Sequence, residues 1–377
     1  MSNRERARAW VEVDTGALRA NYELVREVVG PASAVIAMVK ADGYGLGVAR
    51  VTRALEPLAP WAYGVATAAE GYALRELGIE RPVLVFSPLP PADVELAAAS
   101  RLTPAISDLA SLELWAAAAG RLGNSLDFHV EIDTGMGRAG FDWRETPTWG
   151  QEVRSRARPP LRWAGVFTHF QASDAPDPSP TETQWARFED AVAQLPVSRE
   201  DLVVHACNGA AALRWPAFAA DAVRPGYVLY GGDVAAAGVS GVPRTKPVAA
   251  LRARIVLVRD VPPGTTAGYG ATHASRGWAR WATLAIGYGD GLPRVLGNLG
   301  EALVRGRRVP LIGRVSMDLT VADVTAVPEV AVGDVATLIG RDGDEEITLE
   351  HVAAQANTIG YEILTGLGPR LPRAEVS

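Results

Sequence analysis

Residues 61–87, WAYGVATAAEGYALRELGIERPVLVFS, run from one short apolar stretch through a helical one into a second apolar stretch. Trp61–Ala66 and Val83–Ser87 are compact and apolar, as buried strands are, while Ala68–Leu77 is built of Ala, Leu, Glu and Arg, good helix formers. Strand, helix, strand at this spacing is a βαβ unit, which places the two strands parallel in one sheet. The alternation continues outward in both directions. Further strands are expected at Ala34–Lys40, Leu102–Ser107, Leu126–Asp133, Trp163–His169, Leu202–Cys207 and Ala222–Tyr230. Helices are expected at Gly16–Val29, with Asp14 or Thr15 as N-cap, and at Pro91–Ala99 and Glu182–Gln194. Eight such units over roughly 200 residues suit a closed (β/α)8 TIM-type barrel. A doubly wound sheet is the alternative, but no G-x-G-x-x-G follows the first strand.

The pattern changes near residue 240. After a Gly/Val/Ala linker around Gly238–Val242, strand candidates follow closely at Ala249–Val258, Ala282–Ile286, Ala302–Val304, Arg308–Ile312 and Val335–Leu338. The reading is a barrel over residues 13–240 and a C-terminal all-β domain over 241–377, joined by an N-terminal strand over 1–12. The Asp/Pro/Ser-rich segment Ser173–Thr183 reads as a surface loop after the sixth strand.

The net charge of −6 argues against nucleic acid as a partner, since phosphates need a basic face. No apolar run is long enough to span a bilayer, and no apolar segment follows the polar start Met1–Arg8, so a cytoplasmic protein is expected. The one cysteine, Cys207, forms no intramolecular disulfide. His129, His273 and His351 lack metal-ligand spacing, His205 and Cys207 read as barrel packing, and no metal is expected.

Lysine and arginine total 37, yet only Lys40 and Lys246 are lysines. Arginine has been used almost wherever charge alone is needed. A guanidinium stays protonated and is a poor nucleophile, so a site that needs a reactive amine must keep a lysine. Lys40 stands at the end of the first strand, where barrel enzymes place their chemistry. The other strands end near Arg138, His169, Asn208 and Arg224, with glycines among them. An amine, two guanidiniums, an imidazole and an amide on one face describe a site for an anionic, aromatic cofactor.

The run Met38–Gly47 resembles the cofactor-lysine signature of the alanine racemase family. Also similar are Asp133–Arg138, Arg224-Pro225-Gly226, Gly268-Tyr269-Gly270, Gly287–Arg294, Gly313–Asp318, Tyr361-Glu362-Ile363 and Leu371-Pro372-Arg373. The blocks span both expected domains in order. The resemblance implies a fold-type III enzyme using pyridoxal 5'-phosphate (PLP). Lys40 would carry the cofactor and serve as base on one face of the substrate, with Tyr269 from the partner subunit on the other. Arg224 would bond the pyridine nitrogen and be oriented by His169. Phosphate contacts would come from Tyr44, Tyr361, Asn208, Gly209 and the N–H groups of Gly226 and Tyr227. Arg138 and the Met317 N–H would take the substrate carboxylate, with Glu131, Tyr288 and Asp318 in support.

The implied reaction is interconversion of L- and D-alanine for peptidoglycan, in a homodimer with shared active sites. Racemisation of another amino acid such as serine is one alternative. A fold-type III decarboxylase is a second, against which stands the absence of a C-terminal cysteine motif. A non-catalytic PLP-binding protein is a third, though such proteins resemble the barrel alone. The chain departs from the family pattern in places. Glu131 stands where a lysine, carbamylated in some members, is common, and is expected to hold Arg138 by a charge-assisted bond. Gly209 replaces a serine, and the hydroxyl of Tyr227, at a usually small position, is expected to compensate. Leu46, Gly43 and Leu319 also differ.

Overall fold

The computed structural model describes residues 6–123, 125–234 and 241–376. The domain boundary at residue 240, most of the linker around Gly238–Val242 and the start of the N-terminal segment lie outside the described residues.

Eight parallel strands close into a barrel: Ala34–Met38, Ala62–Val65, Val83–Val85, Thr103–Ile106, Leu126–Asp133, Leu161–Phe167, Val203–Asn208 and Ala222–Arg224. Each pairs with the next, and the eighth pairs with the first through Ala222 and Val223 against Ala34 and Val35. Residues Val35–Met38 and Val83–Val85 are buried at every position, because helices cover the outside while side chains fill the inside. The helix Thr15–Val29 starts at Asp14, whose carboxylate accepts the Ala17 N–H at 2.8 Å.

Two strand ends differ from the expectation in ways that shape the site. The first strand stops at Met38, and Lys40 opens a separate turn. The eighth ends at Arg224 rather than Tyr230. Pro225 has no N–H to continue the ladder, and Tyr227–Tyr230 form a 3-10 turn.

The second unit is strand-rich. Ala249–Val261, Ala279–Leu284, Thr320–Asp323, Arg307–Ile312, Glu301–Val304 and Val335–Asp342 pair antiparallel in that order, and the last pairs back to the first. The N-terminal strand Ala9–Asp14 adds to Ala249–Val261 and pairs parallel with Arg373–Val376. Two short helices, Leu349–Ala356 and Gly360–Thr365, lie among these strands, and both bear on the site. No helix among the described residues is long and apolar enough to cross a membrane.

Candidate active site

Lys40 leads into a turn of uncommon backbone. Ala41, Asp42, Gly43 and Tyr44 all have positive φ, between 52° and 62°. Left-handed conformation costs roughly 1–2 kcal/mol per non-glycine residue, so the surroundings must hold this turn. They do so at several points. Glu70, in a capping box on the helix Ala68–Glu76, accepts the Ala41 N–H at 2.7 Å and the Ala66 N–H at 2.8 Å. The Asp42 carboxylate accepts the Val48 N–H at 2.8 Å. At Gly43 a Cβ would stand 2.8 Å from a Val51 methyl, so helix and turn pack without room for a side chain. The Lys40 amine is held below its ordinary range, first by burial and then by the positive charge of Arg138, with Glu70 opposing and Arg224 assisting.

Beneath the lysine lies Arg224, buried to 4% exposure. Its two terminal nitrogens are fully engaged. One donates to Nδ1 of His205 at 2.8 Å and to the His205 carbonyl at 3.0 Å. The other donates to the carbonyls of Thr168 and Ala206, at 2.8 and 3.0 Å, and meets Nδ1 of His169 at 3.3 Å. Its Nε–H has no protein acceptor among the described residues, which leaves one directed donor for a ligand.

This guanidinium sets the tautomers behind it. Arginine only donates, so His205 accepts at Nδ1 and carries its proton on Nε2. That N–H then donates to Nδ1 of His129, 2.8 Å away. Burial, followed by Arg224, holds His205 well below the ordinary imidazole range and His169 down to about 3. Burial likewise holds His129 down to about 3. Three neutral imidazoles therefore surround a guanidinium that burial draws down only to about 10. His205 is more than barrel packing, since it positions Arg224.

At the far end of the cavity stand Tyr44, Asn208, Gly209, Gly226, Tyr227 and Tyr361. Asn208 caps the helix Gly209–Arg214: its Oδ1 accepts the Ala211 N–H at 3.0 Å and the Ser173 hydroxyl at 2.8 Å. With the oxygen so occupied, its amide N–H groups are the end free for an anion. Ser173 is buried and supports the site through Asn208, although its segment reads as surface loop. The N–H groups of Gly226 and Tyr227 stand where the following 3-10 turn begins, and first-turn N–H groups lack intrahelical acceptors. A Cβ on Gly226 would collide with the Tyr44 hydroxyl. Gly226→Ala is expected to lower cofactor occupancy at least about tenfold, on the cost of overpacking, as measured by absorbance of the purified protein. Full occupancy would show that backbone approach at Gly226 is not required.

Two expectations are corrected by the side chains. Glu131 accepts from the Ser107 hydroxyl at 3.2 Å, and among the described residues it makes no hydrogen bond or ion pair with Arg138. Ser107 ends the neighbouring strand, whereas Arg138 stands exposed on the loop that the Asp133 carboxylate organises through the Gly135 and Gly137 N–H groups. Burial raises the Glu131 carboxyl above its usual range, and the Ser107 bond and then the positive charges of Arg138 and Arg224 oppose this, so Arg138 acts on it at a distance without a direct bond. The Tyr227 hydroxyl donates to the Glu350 carboxylate at 2.9 Å, so its one proton is not spare for a phosphate.

Lys40, Glu131, Arg138, His169, Asn208, Gly209, Arg224, Gly226, Tyr227, Tyr44 and Tyr361 line one cavity. Tyr269, Tyr288, Met317 and Asp318 do not. Tyr269 stands 70% exposed and Met317 51% exposed, on turns of the second unit. The turns that carry Tyr288, Met317 and Asp318 are braced by the buried Asp290, which lies within the Gly287–Arg294 block, where the resemblance implies no role for it. It accepts from Arg8 at 2.8 Å, Arg370 at 2.9 Å and the Gly287 N–H at 3.0 Å, and Arg370 also grips Asp318 at 2.9 Å.

The residues fit PLP: an amine whose hold on its proton is weakened by burial, an unpaired Nε–H for the ring nitrogen, and amide donors for a phosphate. Among the described residues no group of three or more His, Cys, Asp or Glu side chains could hold a metal ion.

Comparison with known proteins bears on the same residues. The family model described as "Alanine racemase, N-terminal domain" matches residues 13–234, and "Alanine racemase, C-terminal domain" matches 248–375. The chain is 37% identical over 375 residues to an alanine racemase of Halothermothrix orenii, covering 99% of this chain and 98% of that one. It is similar to the crystal structure of alanine racemase from E. faecalis, with TM-score 0.91 and 33% identity over 98% of each chain. It is also similar to that of Bartonella henselae with covalently bound pyridoxal phosphate, with TM-score 0.89 and 29% identity over 98% of this chain and 100% of that one. A cavity lined by Lys40 and Arg224 in a barrel, a strand-rich second unit and full-length similarity agree: this chain belongs to the alanine racemase family.

Proposed function

We propose that this chain, a PLP-dependent alanine racemase, moves the Cα proton of alanine between two opposed groups, Lys40 and the partner subunit's copy of Tyr269. The observation that carries this reading is that Lys40 and Arg224 line one cavity, with the Arg224 Nε–H left without a protein acceptor among the described residues. PLP, when bound, withdraws electron density from the substrate Cα and makes its proton acidic enough to remove. Lys40 would hold the cofactor and take or deliver the proton on one face. Its lowered affinity for a proton suits a base working near neutrality. Arg224 would hold the ring nitrogen through its Nε–H. Because a guanidinium does not surrender a proton readily, it would not protonate that nitrogen, which would favour return of the proton to Cα over transamination. His205 and His169 keep Arg224 aimed, and neutral imidazoles add no competing charge.

Arg138 takes the substrate carboxylate together with the Met317 N–H, which like Tyr269 comes from the partner. The exposure of Tyr269 and Met317 supports this, since neither reaches the cavity of its own chain. Two such contributions exchange by symmetry in a homodimer with two equivalent sites. A cytoplasmic enzyme supplying D-alanine to peptidoglycan fits these properties.

The test is deuterium incorporation at Cα of L- and D-alanine by the PLP-loaded protein. Wild type is expected to exchange and racemise both enantiomers, and Lys40→Ala to lose more than about 10⁴-fold of this rate, beyond the range of a single acid–base group. Exchange confined to another amino acid would replace the substrate. Equal rates in Lys40→Ala would overturn the assignment.

A further inference from the structure

We propose that Tyr227 is a positioning residue for the phosphate end of the cofactor site, acting through Tyr361 and latched by Glu350. The inference rests on the PLP reading above. Gly209 offers only its N–H there, because a Cβ would stand 2.6 Å from a methyl of Val228. The side-chain contacts at that end therefore fall to Asn208, Tyr44 and Tyr361.

Tyr361 is not carried by the barrel. It comes from the helix Gly360–Thr365 of the second unit, so its place over the barrel depends on what holds the two units together. Tyr227 does this at two points. Its ring stacks on Tyr361, with centroids 4.0 Å apart and planes at 22°. Its hydroxyl donates to Glu350 Oε1 at 2.9 Å, on the neighbouring helix Leu349–Ala356, and the same oxygen accepts the Asp233 N–H at 3.0 Å. The ring fits between Gly232 and Gly360, where a Cβ on either would collide with it. A barrel side chain is thus inserted between two helices of the second unit. On the other side Tyr44 is 6.4 Å from Tyr361 and stacks at 4.4 Å on Tyr230, whose hydroxyl donates to the Met38 carbonyl at 2.9 Å. Tyr361 is held on one side by a ring tied to the lysine-bearing strand and on the other by the Glu350 latch.

The experiment titrates the full chain with PLP and, separately, with pyridoxal, which lacks the phosphate. Tyr227→Phe removes the latch and keeps the ring. It is expected to weaken PLP about tenfold, the size of one lost buried hydrogen bond, and to leave pyridoxal affinity unchanged. Glu350→Ala, which also takes the acceptor from the Asp233 N–H, is expected to weaken PLP at least as much, and the double variant to be no worse than Glu350→Ala alone, since the Tyr227–Glu350 bond is already lost there. Glu350→Gln retains an acceptor and should recover most of the loss. Equal weakening of PLP and pyridoxal would show a merely structural role and overturn the proposal. So would unchanged PLP affinity in both Tyr227→Phe and Glu350→Ala. A wild-type chain that takes up neither compound would overturn the PLP reading itself.

Discussion

Mixing inactive Lys40→Ala and Tyr269→Phe chains, under conditions where subunits exchange, is expected to restore racemisation to about one quarter of wild type. The reason is geometric. If Lys40 of one chain meets Tyr269 of the other, a mixed dimer holds one doubly altered site and one site with both wild-type residues. Random pairing makes about half the dimers mixed, and half of their sites are intact. Each variant alone should be deeply impaired, Tyr269→Phe by about 10²- to 10⁴-fold, the usual range for one acid–base group. Tyr269→Phe should still exchange the Cα proton of one enantiomer with deuterium, because the Lys40 face remains. If mixing restores nothing although subunit exchange is verified by differently tagged chains, Tyr269 does not act across the dimer. The exposed position of Tyr269 in the single chain would then need another explanation.

The fold is expected to lose stability steeply in mild acid. His129 and His169 are held down to about 3 by burial, and His205 well below its ordinary value. In the unfolded chain each would titrate near 6.5. Between those values the unfolded state binds protons that the folded state refuses, so stability rises with pH. The contribution is fully present above about pH 6.5 and declines as pH falls toward 3. His129 and His169 alone give a slope of up to about 2.7 kcal/mol per pH unit, with His205 acting in the same direction. Thermal midpoints measured from pH 7 to pH 4 should fall accordingly. A His129→Gln variant should show a shallower fall than wild type, by about one proton. Parallel curves would refute the buried neutral imidazole. Ring proton shifts followed by NMR give a second check, because these three histidines should not titrate above pH 5.

The acid response and the catalytic site share one cause. Arg224 is kept charged inside the barrel by carbonyls and imidazoles that accept from it. Removing those acceptors by protonation would leave a buried cation facing other cations.

Much of this protein is written locally. Strand and helix alternate with periods that any window of residues 34–230 displays, and parallel strands joined by helices close in few ways, so the barrel follows from pattern alone. Lys40 also stands out by sequence, because reactive amine chemistry cannot be delegated to arginine. Positions fixed by backbone need, such as Gly43 and Gly226, fall in the same legible blocks.

What the chain could not reveal by itself is which side chain meets which. Glu131 carries the same carboxylate whether its partner is Arg138 or Ser107, and only the pairing register of the fourth and fifth strands brings Ser107 to it. Tyr227 reads as a phosphate ligand until Glu350, 123 residues later, takes its hydroxyl. Ser173 lies in a polar segment that reads as surface, and it is buried because Asn208, 35 residues on, ends the adjoining strand. Hydrogen bonds form over about 3 Å, and the distances between these groups are set by strand register and by docking of the two units, not by neighbours in the chain. Periodicity and residue chemistry determine the architecture and the reactive lysine; closure of the barrel decides how each supporting side chain is used.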